Sequence, residues 1–313
     1  MTFAIRRAAL ALLAVAILAL SVTACGSSDK KSSSTKAPSG QPGKGKSVTL
    51  GDKNFTEEFV LGELYKQALE ARGYKVSLKS NIGSSEIIDK ALTSGKIDGY
   101  PEYTGTIISS LAHKDQPLKS QDDAYNQAKS FEEGRGYTLT AKTPFFDADA
   151  IAVKPDYAKK NGLSKLDDLA KLGAKFRLGG PPENKTRYLG VVGLKKVYGA
   201  NLTFVPLTIG LQYKALDSGK VDGATVFTTD GQLQRSQYTI LKDDKNLFGF
   251  QNVAMVISQK KLKELGPEFQ QTVDAVSATL NNEAMQKMNA AIDIDKQKPA
   301  AVAKTFLKAN GLL

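Results

Sequence analysis

The sequence predicts an α/β protein of two lobes, each a mainly parallel sheet flanked by helices, following an N-terminal export segment. Three observations carry this reading. Short β-rich runs alternate with amphipathic helical stretches from residue 48 onward. The segment "ALTSGKIDG" at 91–99 is echoed by "ALDSGKVDG" at 215–223. The first 24 residues place Arg6 and Arg7 before an apolar run from Ala8 to Leu20 and then "SVTAC", the three-part pattern of an export signal.

Cys25 is the only cysteine in 313 residues, so no intramolecular disulfide can form. It stands where a lipoprotein signal puts the residue that is acylated, and "Val-Thr-Ala-Cys" resembles a bacterial lipobox. The apolar run is short of the roughly 20 residues that span a bilayer. Residues 1–24 therefore read as a lipoprotein signal peptide, with the mature chain held by acyl chains on the outer face of a membrane. Residues 25–47, rich in Ser, Gly, Lys and Pro, read as a disordered tether because they offer too little apolar surface to fold.

In the first lobe "SVTLGD" reads as a strand, followed by a helix over 55–72 with Phe59, Leu61, Leu64, Ala68 and Leu69 on its buried face. "KVSLKSNI", a helix from Ser85 to Thr93 and "KIDGYPEY" continue the alternation. The second lobe repeats it with "KFRLGG", a helix through "TRYLGVVGLKKVYG", "LTFVPL", a helix through "QYKALDSG" and "VDGATVF". Ligands of open α/β sheets bind beyond the C-terminal strand ends. "YPEYTGT" and "ATVFTTD", which follow the two echoes, are thus expected to face each other across an interlobe cleft. Tyr100, Tyr103 and Phe227 read either as core aromatics or as cleft walls. Thr104, Thr106, Thr228, Thr229 and Asp230 beside them would be poor core residues, which favours the cleft.

Composition narrows the function classes. The formal charge of +11 falls to about +5 once the leader's two arginines and the tether's five lysines and one aspartate are set aside. The remaining lysines are scattered singly and no aromatic-interleaved basic motif occurs, which argues against nucleic acid as a partner. An exported enzyme is the rival class, but His113 in "AHKDQP" is the only histidine. No Gly-x-Ser-x-Gly elbow, His-Glu-x-x-His pair or phosphate loop occurs, and "GGPPENK" lacks phosphate-loop spacing. Neither a cofactor nor a metal is expected. A lipid-anchored sensor domain of the same fold is a third reading, because fold does not fix use.

"GDKNFTEEFVLGELYKQALEARGYKV", "NIGSSEIIDKAL" and "IDGYPEYTGT" resemble the signature segments of substrate-binding proteins of ABC importers for glycine betaine, carnitine, choline and proline betaine. The likeness continues more weakly through "TPFFDADAIAV", "ENKTRYLG" and "VFTTDGQL", so it covers essentially all of 48–313. It implies a hinged type II periplasmic-binding-protein fold. Residues 48–145 plus 251–313 would form lobe 1 and 146–250 lobe 2. It also implies a monomer that delivers its ligand to a permease with a cytoplasmic ATPase.

The ligand-binding residues it implies are Asn54, Phe55, Thr56 and Glu58 of "NFTEE", Tyr100, Tyr103 and Thr106, then Asp147, Asp149, Arg187, Phe227, Thr229 and Gln251. Several depart from the family pattern. Glu58 stands for a glutamine, Asp147 for an amide and Asp149 for a cage tyrosine. Phe227 and Gln251 also occupy tyrosine positions, and Arg187 matches an arginine that can grip a carboxylate bidentately. A quaternary ammonium has no N–H and is held by cation–π attraction, about 0.5 to 2 kcal/mol for each well-placed ring. Carboxylates in place of rings suit a primary or secondary amine, or a polyol, better. The ligand is thus expected to be an osmoprotectant-like molecule of the betaine and choline class, or a different amine.

Overall fold

A computed structural model describes residues 37–313. Cys25, the leader and the first part of the tether lie outside the described residues. Lobe 1 opens with β1 (Ser47–Gly51), α1 (Thr56–Glu70), β2 (Lys75–Lys79), α2 (Ser85–Thr93) and β3 (Gly99–Tyr103). The short α3 (Thr104–Thr106) runs on as a π-helix over Ile107–Leu111, and α4 (Gln121–Glu133) and β4 (Tyr137–Leu139) follow. Lobe 2 holds β5 (Asp149–Val153), α5 (Pro155–Asn161), β6 (Arg177–Gly180), α6 (Gly193–Tyr198), β7 (Thr203–Pro206), α7 (Gln212–Asp217), β8 (Gly223–Phe227) and β9 (Thr239–Leu241). The chain then returns to lobe 1 as β10 (Val253–Ser258), α8 (Gln259–Leu265), α9 (Pro267–Thr279), α10 (Asn282–Asp293) and α11 (Pro299–Ala309).

The two five-stranded sheets have the same plan. Their strand orders are β2-β1-β3-β10-β4 and β7-β6-β8-β5-β9. In each, four strands run one way, and the fourth in the order, β10 or β5, is antiparallel to both its neighbours. The echo at 91–99 and 215–223 is therefore architectural, closing α2 into β3 and α7 into β8 at the centre of each sheet. The reversed strand in each lobe is the one that follows a lobe crossing. The crossings pair at an antiparallel bridge between Phe146 and Asn252, continued where the Asp147 amide donates to the Gln251 carbonyl at 3.1 Å.

Helix α1 shows why the core forms. Val60, Leu61, Leu64, Tyr65, Ala68 and Leu69 recur at three- and four-residue spacing and are all buried, against β10 and the C-terminal helices. Each large apolar side chain removed from water contributes about 1.5 to 3 kcal/mol. Phe59, expected on this face, is only half-buried, because 100° of rotation turns it away from the Val60 stripe.

Two expectations change. The end of the tether is docked rather than free: the Gly43 amide donates to Arg72 O, the Lys75 amide to Lys46 O and Lys46 Nζ to Leu265 O, each at 2.9 Å. Backbone pairing along the β1–β2 ladder holds this segment, so its lack of apolar residues does not free it. The segment "TRYLGVVGLKKVYG" is not one helix. Leu189 and Gly190 leave helical geometry, with Gly190 at φ −146° and ψ −137°, and regular helix begins only at Gly193. A Cβ on Gly190 would collide with the Asn184 backbone, so the break needs glycine.

Candidate functional site

The strand ends of both lobes open on a cleft of about 530 Å³ of empty space. Lobe 1 supplies Lys53, Asn54 and Phe55 after β1, Tyr103 at the end of β3 and Thr106 just beyond it. Lobe 2 supplies Asp149, Asn184, Arg187 and Phe227, and the crossings supply Asp147 and Gln251. The loop after β1 is pinned from below. Asp52 accepts from the Asn81 amide at 2.6 Å and from Ser80 Oγ at 2.8 Å, and burial raises its carboxyl to about 6 despite these donors.

Lys53 dominates the floor. Its ammonium is buried, pairs closely with Glu102, lies 3.8 Å from Glu58 and donates to Ser85 Oγ at 3.3 Å. It also stands 4.3 Å from the centre of the Tyr103 ring and 5.5 Å from that of Phe55. A cation of the protein's own thus covers the aromatic face that the family resemblance assigns to a ligand's ammonium. Glu58 lies under this floor and not on the cleft wall. It is fully buried, accepts from the Lys53 amide at 3.2 Å, and burial pushes its carboxyl well above the usual range while Lys53 partly offsets the rise.

The aromatic residues meet across the lobes. Phe55 stacks on Phe227 with ring centres 5.2 Å apart and on Tyr103 at 6.2 Å. Beneath them Glu57, fully enclosed, accepts from Tyr103 OH at 2.8 Å, Asn289 Nδ2 at 3.0 Å and, across the lobes, Thr229 Oγ1 at 2.5 Å. Burial raises its carboxyl and these three donors oppose the rise. Asp147 accepts from the Thr229 amide at 3.1 Å and Thr228 Oγ1 at 3.2 Å, and burial, then the charges of Glu57 and Asp230, push it well up. Thr104 and Thr229 are fully buried, contrary to the expectation that threonines there make poor core, because each hydroxyl has a partner: Phe250 O for Thr104 and Glu57 for Thr229.

Arg187 projects from the loop after β6. Its Nε and Nη2 grip both oxygens of Glu86, on α2 of the other lobe, at 2.9 and 2.7 Å. Burial would raise Glu86, but Arg187 and the Ser84 hydroxyl outweigh it and hold the carboxyl down to about 2. Nη1 donates to no protein atom among the described residues. Asp149, half-buried beside it, is raised by burial to about 7 although Arg187 and the neighbouring Asn184 pull it down. Gln251 is fixed by the Thr106 amide and hydroxyl, at 3.1 and 3.3 Å, onto its Oε1. It fits because residue 105 is glycine: a Cβ there would lie 2.6 Å from Gln251 Nε2.

Of the residues expected to bind ligand, Asn54, Phe55, Tyr103, Thr106, Asp147, Asp149, Arg187, Phe227 and Gln251 share this cleft. Thr56 and Thr229 line an adjoining cavity instead. Tyr100 is a correction. It is fully buried in the apolar cluster of Ile88, Leu92 and Ile108, its hydroxyl without a partner among the described residues, because it lies on the opposite face of β3 from Tyr103. His113 is exposed in a loop. Lys53, Ser84, Ser85, Glu183 and Asn184 line the cleft without having been singled out. A lysine in "GDKN" reads as a solvated turn until its buried carboxylates are known.

Two lobes of like topology, joined by paired crossings around a polar cleft, define a hinged ligand-binding protein. The chain belongs to the family described as the substrate binding domain of ABC-type glycine betaine transport systems, which matches residues 46–309. It is 32% identical to a glycine-betaine-binding protein of Pseudomonas aeruginosa over 85% of this chain and 88% of that one. It is 29% identical to an ergothioneine transport permease/ergothioneine binding protein of Helicobacter pylori, over 85% of this chain and 48% of that one. A solved structure described as a glycine betaine/carnitine/choline ABC transporter superposes with a TM-score of 0.68 at 30% identity, covering 85% of this chain and 99% of that one. Membership makes the chain a substrate-binding protein of an ABC importer and not an enzyme.

Proposed function

We propose that this protein captures a small osmoprotectant-like amine outside the cytoplasm and hands it to an ABC permease driven by a cytoplasmic ATPase. In this reading it is a monomer anchored by acyl chains on Cys25. The similarity to a glycine-betaine-binding protein supports the betaine and choline class. One observation carries the finer reading: Lys53 covers the Tyr103 face while Asp147 and Asp149 line the same cleft. The aromatic surface left for a quaternary ammonium is small, and acceptors for N–H donors are at hand. Arg187, with Nη1 unused, serves a ligand carboxylate.

Thermal-shift screening of the mature protein tests this with betaines, choline, carnitine and their primary- and secondary-amine analogues. A ligand at a hundredfold excess over Kd adds about 2.7 kcal/mol of stability. Failure of every compound refutes the ligand class. A ranking in which the trimethylated members bind tighter than their primary-amine analogues refutes the role given to the carboxylates. For the anchor, Cys25→Ser should release the protein from the membrane fraction, and retention there would refute acylation.

A further inference from the structure

Lobe 2 rests against α10 of lobe 1 along a strip that stands apart from the first cleft. Met285, Met288 and Ile292 fasten one side of α10 into the core of lobe 1, and Thr56 Oγ1 donates to Asp293 at 2.6 Å to hold its last turn. A neighbouring side, about 60° wide, carries Asn282, Gln286 and Asn289. Each sends an amide N–H to a backbone oxygen beyond lobe 1: Asn282 Nδ2 to Phe146 O at 2.7 Å, Gln286 Nε2 to Thr228 O at 2.9 Å and Asn289 Nδ2 to Thr229 O at 3.0 Å.

Next to this strip the backbones of the two lobes touch. Gly231 opens the short 3₁₀ helix Gly231–Arg235 after β8 and is buried against Ala290. A Cβ on it would lie 2.4 Å from Ala290 Cα and 2.5 Å from the Ala290 N. The φ of Gly231 is not positive, so the approach of the lobes, not the turn, calls for glycine here. None of these residues lines the first cleft.

We propose that this strip is a closing seat, a set of positioning residues that hold the lobes together through protein atoms alone and thereby set how tightly the cleft retains its solute. Asn282 engages the crossing itself, whereas Ala290 lies about 12 Å further along the helix. A turn of the lobes about the crossings therefore leaves the Asn282 bond in place and separates Gly231 from Ala290. Contacts made only in the joined state favour that state, and the apparent affinity for any solute scales with its population. The donors are neutral amides, so the seat carries no charge for salt to screen, unlike the Arg187–Glu86 pair. The proposal does not depend on which solute the first cleft takes.

Small-angle scattering of the mature protein carrying Cys25→Ser, in buffer without any solute, tests this. A compact chain of this size has a radius of gyration of about 19 Å, and moving the lobe centres apart by about 3 Å adds about 1 Å. Gly231→Ala puts a methyl group between the lobes at a position far from the cleft floor and should enlarge the radius by about that amount. Gln286→Leu, at a half-buried position, should enlarge it less, and Gln286→Lys, which keeps a donor for Thr228 O, should match the parent. An unchanged radius in Gly231→Ala overturns the proposal, whether or not the melting temperature falls, because a merely structural glycine would lower stability without moving the lobes. If Gly231→Ala does not fold, an unchanged radius in Gln286→Leu overturns it instead. Equal enlargement by Gln286→Leu and Gln286→Lys overturns the part given to the donated bond.

Discussion

Replacing Lys53 by Met removes the ammonium and keeps an unbranched apolar stem of similar length. Glu102 and Glu58 then remain buried with no counter-charge, one of them formerly in close contact with Nζ and the other 3.8 Å away. Two unit charges about 4 Å apart interact by about 4 kcal/mol at an effective dielectric constant of about 20. Part of that is offset by the desolvation of Lys53 itself, and breaking one side of a buried pair typically costs about 3 to 5 kcal/mol. Against a total stability of about 5 to 15 kcal/mol, this is a large fraction. Urea unfolding followed by circular dichroism at pH 7 should show that loss, and adding Glu102→Gln to Lys53→Met should recover about 1 to 3 kcal/mol. The pH dependence has a definite sign. Glu58 is raised in the folded protein and rises further without Lys53, so folding favours its protonated form. That contribution is fully present below the ordinary carboxylate value of 4.5 and is lost as pH rises through the folded value, so the deficit of the variant should shrink on acidification. A loss under about 1 kcal/mol, or a deficit that grows as pH falls, would refute the role given to Lys53.

Glu86→Gln should loosen the link between the lobes and enlarge the radius of gyration in small-angle scattering; an unchanged radius would show that the Arg187 pair does not hold them. Because its folded carboxyl is lowered to about 2, the stabilisation from Glu86 is present above 4.5 and lost as pH falls through about 2. Its side chain is 37% exposed, so solvent screening reduces the contribution to about 1 kcal/mol. Asp149, raised to about 7, is neutral below that pH and a carboxylate above it. Affinity for a primary amine should therefore climb between about pH 6 and 8, and a flat calorimetric profile would contradict its role. Tyr100→Phe removes a hydroxyl with no partner, so stability and ligand binding should hold or improve; a loss above about 1 kcal/mol would mean that the hydroxyl is satisfied.

The architecture was legible because it rests on local patterns. Alternating strands and helices and the repeated "SGK-IDG/VDG" closing units translate directly into two sheets of one plan. The site was legible where position alone decides it, since Tyr103 and Phe227 are the last residues of β3 and β8. It was illegible where a buried charge depends on a distant partner. Lys53 meets Glu102, 49 residues on, only because β1 and β3 pair, and nothing near "GDKN" announces it. Glu57 and Glu58 were equally opaque. One helical step separates them by 100°, which sends Glu57 to Tyr103 and Thr229 and Glu58 beneath Lys53. Tyr100 was misplaced because β3 is buried on both faces, so alternation along it does not say which face meets the cleft.

The paired crossings at Phe146 and Asn252 also divide labour in a mechanical sense. Asp147 lies in that pairing, on the line about which the lobes would turn, so a ligand atom pulling on its carboxylate exerts almost no torque. Arg187 and Glu86 belong to neither crossing, and a pull on them acts through a lever arm. A solute that satisfied Asp147 alone would be retained without swinging the lobes, whereas one that also engaged Arg187 would do work on the hinge. Retention and transmission would then draw on different residues: substitution at Arg187 would weaken affinity and closure together, whereas substitution at Asp147 would weaken affinity with little effect on closure.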